Sequence, residues 1–182
     1  MFDIIAQAIG IVAMAFNILS YQMKGSRGVV LMQLFGGALF SVNFFMLGAY
    51  VGGILNLIGT FRAIVYSNRE KFKADSIFWL VLFILLYISS YILSFTAFGK
   101  EFTLFYAVIE LFPVIAMTAT TLGFRSNKAK TIRLFALISA PSWLIYNIVF
   151  VSIGAIICEV FSLISIIIGI IRYDIKKPAD KV

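Results

Sequence analysis

Few residues in this chain carry side chains suited to acid–base or metal chemistry. The 182 residues include no histidine and a single cysteine, Cys158. Zinc sites, disulfide frameworks and histidine-based catalytic triads are therefore excluded, and we expect neither a metal nor a cofactor. Because no nucleophile–base pair is recognisable either, we expect a protein that is not an enzyme.

Three ionisable residues lie inside long apolar runs, where a charge is costly and marks an ion or proton pathway. At about 1.5 Å per helical residue, Glu110 lies about 12 Å into its run and Glu159 about 7–8 Å into another. We interpret both as candidate proton-coupling residues; the structural alternative is a neutral glutamate hydrogen-bonded to a neighbouring helix. Arg62 lies near the end of its run, and we expect its long side chain to reach the membrane interface.

Neutral polar residues and aromatic rings form a second candidate set. Two runs each carry small or polar residues at three-residue spacing, which places them on one helix face; close helix packing is the alternative explanation. Trp143 and Tyr146 supply a flat face and a hydroxyl. Pro113 removes a backbone hydrogen bond and is a candidate hinge just after Glu110. The two stripes are Gly53, Asn56, Gly59 and Glu159, Ser162, Ser165, and the candidate substrate-binding residues are Asn56, Ser162, Trp143, Tyr146, Asn147 and Asn43.

The elements that must position these residues are membrane helices. The chain is 62% hydrophobic and 13% charged, with a mean hydropathy of +1.05, whereas soluble domains are about 45–50% apolar and about 25% charged. A chain of this length cannot bury so much apolar surface against itself, so its solvent is lipid. The first run has no basic n-region and is expected to be a retained helix rather than a signal peptide. Seven runs reach the roughly 20 residues of a span: Phe2–Gln22, 28–48, 49–66, Ser76–Phe98, Phe102–Leu122, 132–152 and 154–171.

The distribution of basic residues predicts the orientation. With the N-terminus outside, every lysine and arginine except Lys100 lies at an inner loop or helix end, as the positive-inside rule requires. We therefore predict an N-out, C-in topology. The formal net charge of +7 is explained by topology and by anionic lipid, so we expect the bilayer, and no nucleic acid, as a partner.

The loops indicate an internal repeat. A basic loop, a charge-free turn and a basic tail occur in that order on both sides of the fourth helix. Helices one to three would thus recur as helices five to seven in the same orientation, an arrangement known among transporters. We predict an all-α 3+1+3 membrane protein, with a first three-helix bundle at 1–70, a linker helix at 76–98, a second bundle at 102–173 and a cytoplasmic tail at 174–182.

Several short motifs resemble the SWEET / PQ-loop transporter superfamily. Ser142–Asn147 resembles the Trp-x-x-Tyr signature of a second helix in a triplet, and Asn56 followed by Ile64–Tyr66 resembles the third helix. Ser20–Lys24 lies where the Pro-Gln motif is expected. The stretch Tyr21–Tyr66 is also similar to the YgjV-like bacterial inner-membrane proteins.

The resemblance implies a multi-pass protein of the bacterial inner membrane, with a substrate-facing Asn56 and hinges at Gln22, Pro113 and Pro141. It further implies a small secondary transporter or facilitator, which moves a small polar, sugar-like or similar metabolite through a cavity between the bundles. We expect Glu110, Asn56 and Ser162 to line that cavity. A non-transporting receptor, or an assembly or regulatory partner on the same fold, is the alternative. A monomer is the default and a homodimer the alternative.

The predicted orientation can be tested by cysteine labelling in a Cys158→Ser background. A membrane-impermeant maleimide added to intact cells should label Asp3→Cys and leave Lys128→Cys unlabelled, because of these two positions only position 3 is expected outside. Lys128→Cys should react after the cells are opened. Labelling of position 128 but not position 3 on intact cells would overturn the topology.

Overall fold

The computed structural model describes residues 2–46, 50–97, 101–149 and 153–175, and every regular element in these ranges is a helix. Gly48 and Ala49 of the first predicted turn, and most of the predicted tail (176–182), lie outside the described residues, whereas Tyr50–Gly52 of that turn and Gly154 of the second predicted turn already lie in helices. The elements in chain order are α1 (Phe2–Ser20), α2 (Ser26–Met46), α3 (Tyr50–Ser67), α4 (Arg69–Phe72), α5 (Ile77–Thr96), α6 (Leu104–Ile109), α7 (Leu111–Arg125), α8 (Ala129–Val149) and α9 (Ile153–Ile170), with a π-helical continuation at Ile171–Ile175.

Helix length and hydropathy confirm a polytopic all-helical membrane architecture. Two of the seven predicted runs appear as shorter apolar helices, at Ile5–Ser20 and Gly53–Ser67. The described residues contain five helices long and apolar enough to cross a membrane: Ser26–Met46, Ile77–Thr96, Leu104–Arg125, Ala129–Val149 and Ala155–Ile175.

Large apolar side chains face the outside of the helical bundle, and small or polar side chains face its interior. Ile11, Leu57, Leu85 and Ile148 are each more than half exposed, which suits contact with lipid tails. The buried residues include many serines and alanines. Small residues at helix–helix contacts let backbones approach closely, as expected where lipid rather than water surrounds the bundle.

The helices pack as two triplets with an additional helix beside them. Helix α2 lies between α1 and α3, and α8 lies between α7 and α9. Across the triplets, α1 contacts α9, α2 contacts α8 and α3 contacts α7. Helix α5 packs on α3 and α7, so it joins the triplets along one side.

Aromatic side chains attach α5 to this side. Phe83 is fully buried, with its ring 5.8 Å from Phe61 and 6.2 Å from Tyr66 between centroids. At the start of α5, the Trp79 indole N–H donates to the Phe72 carbonyl at 2.7 Å. Tilted contacts between aromatic rings favour particular ring orientations in addition to burying apolar surface. They therefore fix the position of α5 against the bundle.

The span Leu104–Arg125, which corresponds to the predicted fifth helix, is divided at Glu110 into two consecutive helices. Helix α6 ends at Ile109 and α7 begins at Leu111. Pro113 has no N–H to donate to the Ile109 carbonyl four residues earlier, and its ring crowds that carbonyl. The break therefore precedes the proline and coincides with the glutamate, whereas Pro141 lies inside the continuous helix α8.

A buried ion pair joins α8 to the end of the described chain. The Arg133 side chain is 1% exposed and the Asp174 side chain 6%. Arg133 Nε donates to Asp174 Oδ2 at 2.9 Å and Nη2 donates to Oδ1 at 2.6 Å, while Nη1 donates to the Met23 carbonyl at 3.1 Å. The sequence places Arg133 among the charges of an inner loop and Asp174 at the start of the tail. In the structure Arg133 lies inside α8, and each group neutralises the other inside the protein.

Removing one member of this ion pair should lower the free energy of unfolding. Asp174→Asn leaves the Arg133 charge buried and uncompensated, which costs about 3–5 kcal/mol in buried pairs, or roughly 10 °C in melting temperature. Asp75→Asn is the matched control, since Asp75 pairs with Arg69 but is 80% exposed, and exposed pairs contribute little. Thermal unfolding of the detergent-solubilised proteins measures both effects. Equal losses in the two variants would contradict the prediction.

Candidate functional site

A cavity of about 160 Å³ lies among the helices of both triplets. At about 30 Å³ per water, this equals the space of about five waters. All six helices α1–α3 and α7–α9 contribute to its wall, and none of its described lining residues comes from α5. The lining residues are Asn17 of α1 and Tyr21 directly after it; Gln33, Gly37, Phe40 and Phe44 of α2; Leu55, Asn56, Gly59, Arg62 and Ala63 of α3; Met117, Thr120 and Phe124 of α7; Ser139, Ala140, Trp143 and Asn147 of α8; and Ala155, Cys158, Glu159 and Ser162 of α9.

The wall combines hydrogen-bonding groups with aromatic faces. Amide side chains come from both triplets, with Asn56 on α3 and Asn147 on α8. Phe40 and Phe44, whose ring centroids lie 6.0 Å apart, and Trp143 supply flat apolar surfaces. A mostly apolar pocket with a few convergent polar groups is the usual form of a small-molecule site. The cavity can therefore hold a small molecule with one polar edge and one apolar face.

The structure brings together five of the residues singled out from the sequence. Asn56, Ser162, Trp143, Asn147 and Glu159 all line the cavity. They come from α3, α8 and α9, so residues more than 80 positions apart in the chain share one wall.

Three other candidates lie elsewhere. Asn43 donates from Nδ2 to the Ala6 carbonyl at 2.6 Å, so its amide joins α2 to α1. Glu110, at the break between α6 and α7, interacts with the Tyr146 side chain of α8. None of the three is among the described lining residues. The expectation that Glu110 shares a cavity with Asn56 and Ser162 is therefore wrong, and Glu159 is the carboxyl that does so.

The sequence predicts that the Arg62 side chain reaches the membrane interface, but in the structure it does not. It is 6% exposed and points into the bundle. Nη1 donates to the Tyr87 hydroxyl and the Met117 carbonyl, both at 3.1 Å, and to Thr121 Oγ1 at 3.5 Å. The guanidinium carbon lies 5.0 Å from the centre of the Phe124 ring. Hydropathy gives the depth of a residue in the membrane but not the side of the helix that it occupies. The inward orientation of Arg62 could therefore not be predicted from the sequence.

The end of α1 is fixed to the opposite triplet. Gln22 Nε2 donates to the carbonyl and to Oγ of Ser165, at 2.7 and 2.9 Å, and Ser165 Oγ donates to the Ile18 carbonyl at 2.6 Å. Gly169, one turn later on α9, has no room for a Cβ because the Tyr21 carbonyl lies against it. Gln22, predicted as a hinge, is thus part of the contact that joins α1 to α9.

Every residue that lines the cavity lies in a region that this chain shares with known proteins. Residues 4–177 match the family model Imp-YgjV, described as bacterial inner membrane protein. The chain belongs to the YgjV family of bacterial inner membrane proteins. It is 25% identical over 169 residues to the inner membrane protein YgjV of Escherichia coli (strain K12), covering 93% of this chain and 84% of that protein. No solved structure matches the chain.

Membership of the YgjV family fixes the environment of the cavity. The protein is a multi-pass protein of the bacterial inner membrane. Polar groups such as Asn56, Asn147 and Glu159 are therefore grouped around a space inside a lipid-surrounded bundle, where such groups are functional candidates by default.

Proposed function

We propose that this YgjV-family protein is a small secondary transporter or facilitator, which moves a small polar metabolite across the inner membrane through the cavity. The observation that carries the proposal is that all six helices of the two triplets line the cavity. A site between two bodies is where relative movement of those bodies changes access. A space inside one triplet would have no such property.

The helix contacts support two equivalent triplets arranged as 3+1+3. If α1–α3 are exchanged with α7–α9 in order, the α1–α9 contact becomes the α7–α3 contact, and α2–α8 becomes itself. The packing pattern is thus unchanged by the exchange, as parallel repeats about an axis along the membrane normal require. Together with the motif order, this supports placement in the SWEET / PQ-loop superfamily and α5 as the linker helix.

In the proposed mechanism, the residues of the cavity wall have two different roles: some bind the metabolite and one couples its movement to a proton. Asn56 and Asn147, one from each triplet, hydrogen-bond the polar edge of the metabolite, and Trp143 packs on its apolar face. Glu159, which also lines the cavity, is the proposed proton-coupling group. Rocking of one triplet against the other then exposes the metabolite to alternate sides.

Transport can be tested with purified protein in liposomes. The probe is an equimolar mixture of monosaccharides, amino acids and hydroxycarboxylic acids, and mass spectrometry identifies what accumulates. Asn56→Ala should lower the uptake of the transported compound about 3- to 10-fold, as loss of one or two neutral hydrogen bonds predicts. Leu57→Ala is the matched control, because Leu57 is the next residue and is 55% exposed on the lipid side.

Uptake no greater than in protein-free liposomes would refute transport of these compounds and favour the receptor or assembly partner. Equal loss of uptake in the Asn56 and Leu57 variants would assign the effect to folding rather than to the cavity.

Proton coupling is tested in the same liposomes. An imposed inward proton gradient should raise uptake by the unmodified protein, and Glu159→Gln should abolish that increase because the amide cannot take up a proton. Glu110→Gln is the control, since Glu110 is not among the described cavity residues. If the Glu159 variant keeps the increase, the protein acts as a facilitator without proton coupling through this residue.

A further inference from the structure

Arg62 carries a positive charge that no carboxylate of the described residues pairs with. This side chain is buried in the cavity wall. Its hydrogen-bond acceptors are a tyrosine hydroxyl, a backbone carbonyl and a threonine hydroxyl, all of them neutral. A buried guanidinium without a counter-ion is unfavourable, because charges are stable inside proteins when they are paired.

The hydrogen-bond partners of Arg133, in the same chain, can be compared with those of Arg62. In both residues Nη1 donates to a backbone carbonyl, of Met23 for Arg133 and of Met117 for Arg62. The edge formed by Nε and Nη2 binds both carboxylate oxygens of Asp174 at Arg133. At Arg62, Nε is buried without any hydrogen-bond partner, and within the described part of the chain no acceptor is assigned to Nη2. The two arginines therefore differ by one carboxylate.

We propose that the missing carboxylate is supplied by the ligand, so that the cavity takes a small organic monoanion whose carboxylate binds the Nε–Nη2 edge of Arg62. This inference rests on the proposed function, since it names the class of metabolite that the cavity holds. Arginine presents a planar pair of N–H groups that matches the two oxygens of a carboxylate. Phe124 lies against the guanidinium and holds its plane.

The rest of the cavity favours a monoanion. Glu159 lines the same wall, and its carboxyl disfavours a second negative group on the ligand. The remaining lining offers asparagine, glutamine, serine and threonine side chains, which bind hydroxyl or amide groups of the ligand body. A neutral sugar would satisfy these groups and leave the Arg62 charge uncompensated.

Gly59 provides access to this edge. A Cβ built on Gly59 would lie 3.8 Å from Arg62 Nη2 and 3.5 Å from the Met117 methyl group, which are ordinary contact distances. Gly59 and Arg62 both line the cavity, and the Cβ position of Gly59 is within contact distance of Nη2, so a ligand beside Gly59 reaches this nitrogen. Nε is more enclosed, and engagement of both nitrogens therefore includes a small shift of the surrounding side chains.

The experiment measures ligand binding without requiring transport. Thermal stabilisation and calorimetric titration of the purified protein use lactate as the probe and lactamide, its neutral isostere, as the comparison. We expect lactate to bind and lactamide to bind at least tenfold more weakly. Arg62→Lys keeps the charge but loses the paired N–H groups, and should weaken lactate binding at least tenfold. Lys130→Gln, which removes an exposed positive charge, is the matched control and should bind lactate as the unmodified protein does.

Gly59→Ala keeps the proposal testable if Arg62→Lys fails to fold. Its added methyl group has room in the empty protein but occupies the space beside Nη2, so folding should be normal and lactate binding weaker. Equal binding of lactate and lactamide, or unchanged lactate binding in the Gly59 and Arg62 variants, would overturn the inference. Liposome uptake of neutral compounds alone would also overturn it while leaving transport intact. Lactate binding with no uptake of any compound would support the anion site and refute transport.

Discussion

The absence of water inside a bilayer is the constraint on which this structure depends. A polar group in hydrocarbon must find its partner within the protein, and the described chain meets this requirement first with its backbone, which is almost entirely helical. Hydroxyl side chains follow the same rule. Thr60, Thr120 and Ser142 each donate to the carbonyl four residues earlier, at 2.8–2.9 Å, so they enter the bundle without leaving an unpaired donor.

The same constraint explains where the two triplets are joined. Long polar side chains that are not satisfied on their own helix cross to the other triplet, as Gln22 does to Ser165 and Arg133 does to the Met23 carbonyl. These crossings lie on the α1–α9 side and near the start of α8. On the opposite side, α5 packs on α3 with aromatic surface, and Arg62 of α3 donates to the Tyr87 hydroxyl of α5 and to the Met117 carbonyl of α7. Polar side chains therefore join the triplets on both sides of the bundle.

Apolar runs were sufficient to predict the helices, because a span is defined by length and hydropathy. The position of each polar residue within a span was not predictable in the same way. Asn56 and Asn43 are equally plausible in the sequence, yet one lines the cavity and the other bonds the α1 backbone. The sequence predicts Arg62 at the membrane interface and Arg133 in an inner loop, because basic residues near helix ends are usually found there. Their true surroundings depend on partners, Thr121 and Asp174 among them, that only the folded packing brings close.

The position of α5 has a consequence for where substitutions can reshape the cavity. Its described residues contact α3 and α7 and contribute nothing to the cavity wall. Substitutions that reshape the cavity wall therefore fall on the six surrounding helices, whereas α5 is constrained by its aromatic contacts, its length and the Tyr87 hydroxyl that accepts from Arg62. In the proposed 3+1+3 arrangement, α5 supplies the additional membrane crossing that two triplets of the same orientation need in order to be joined in one polypeptide.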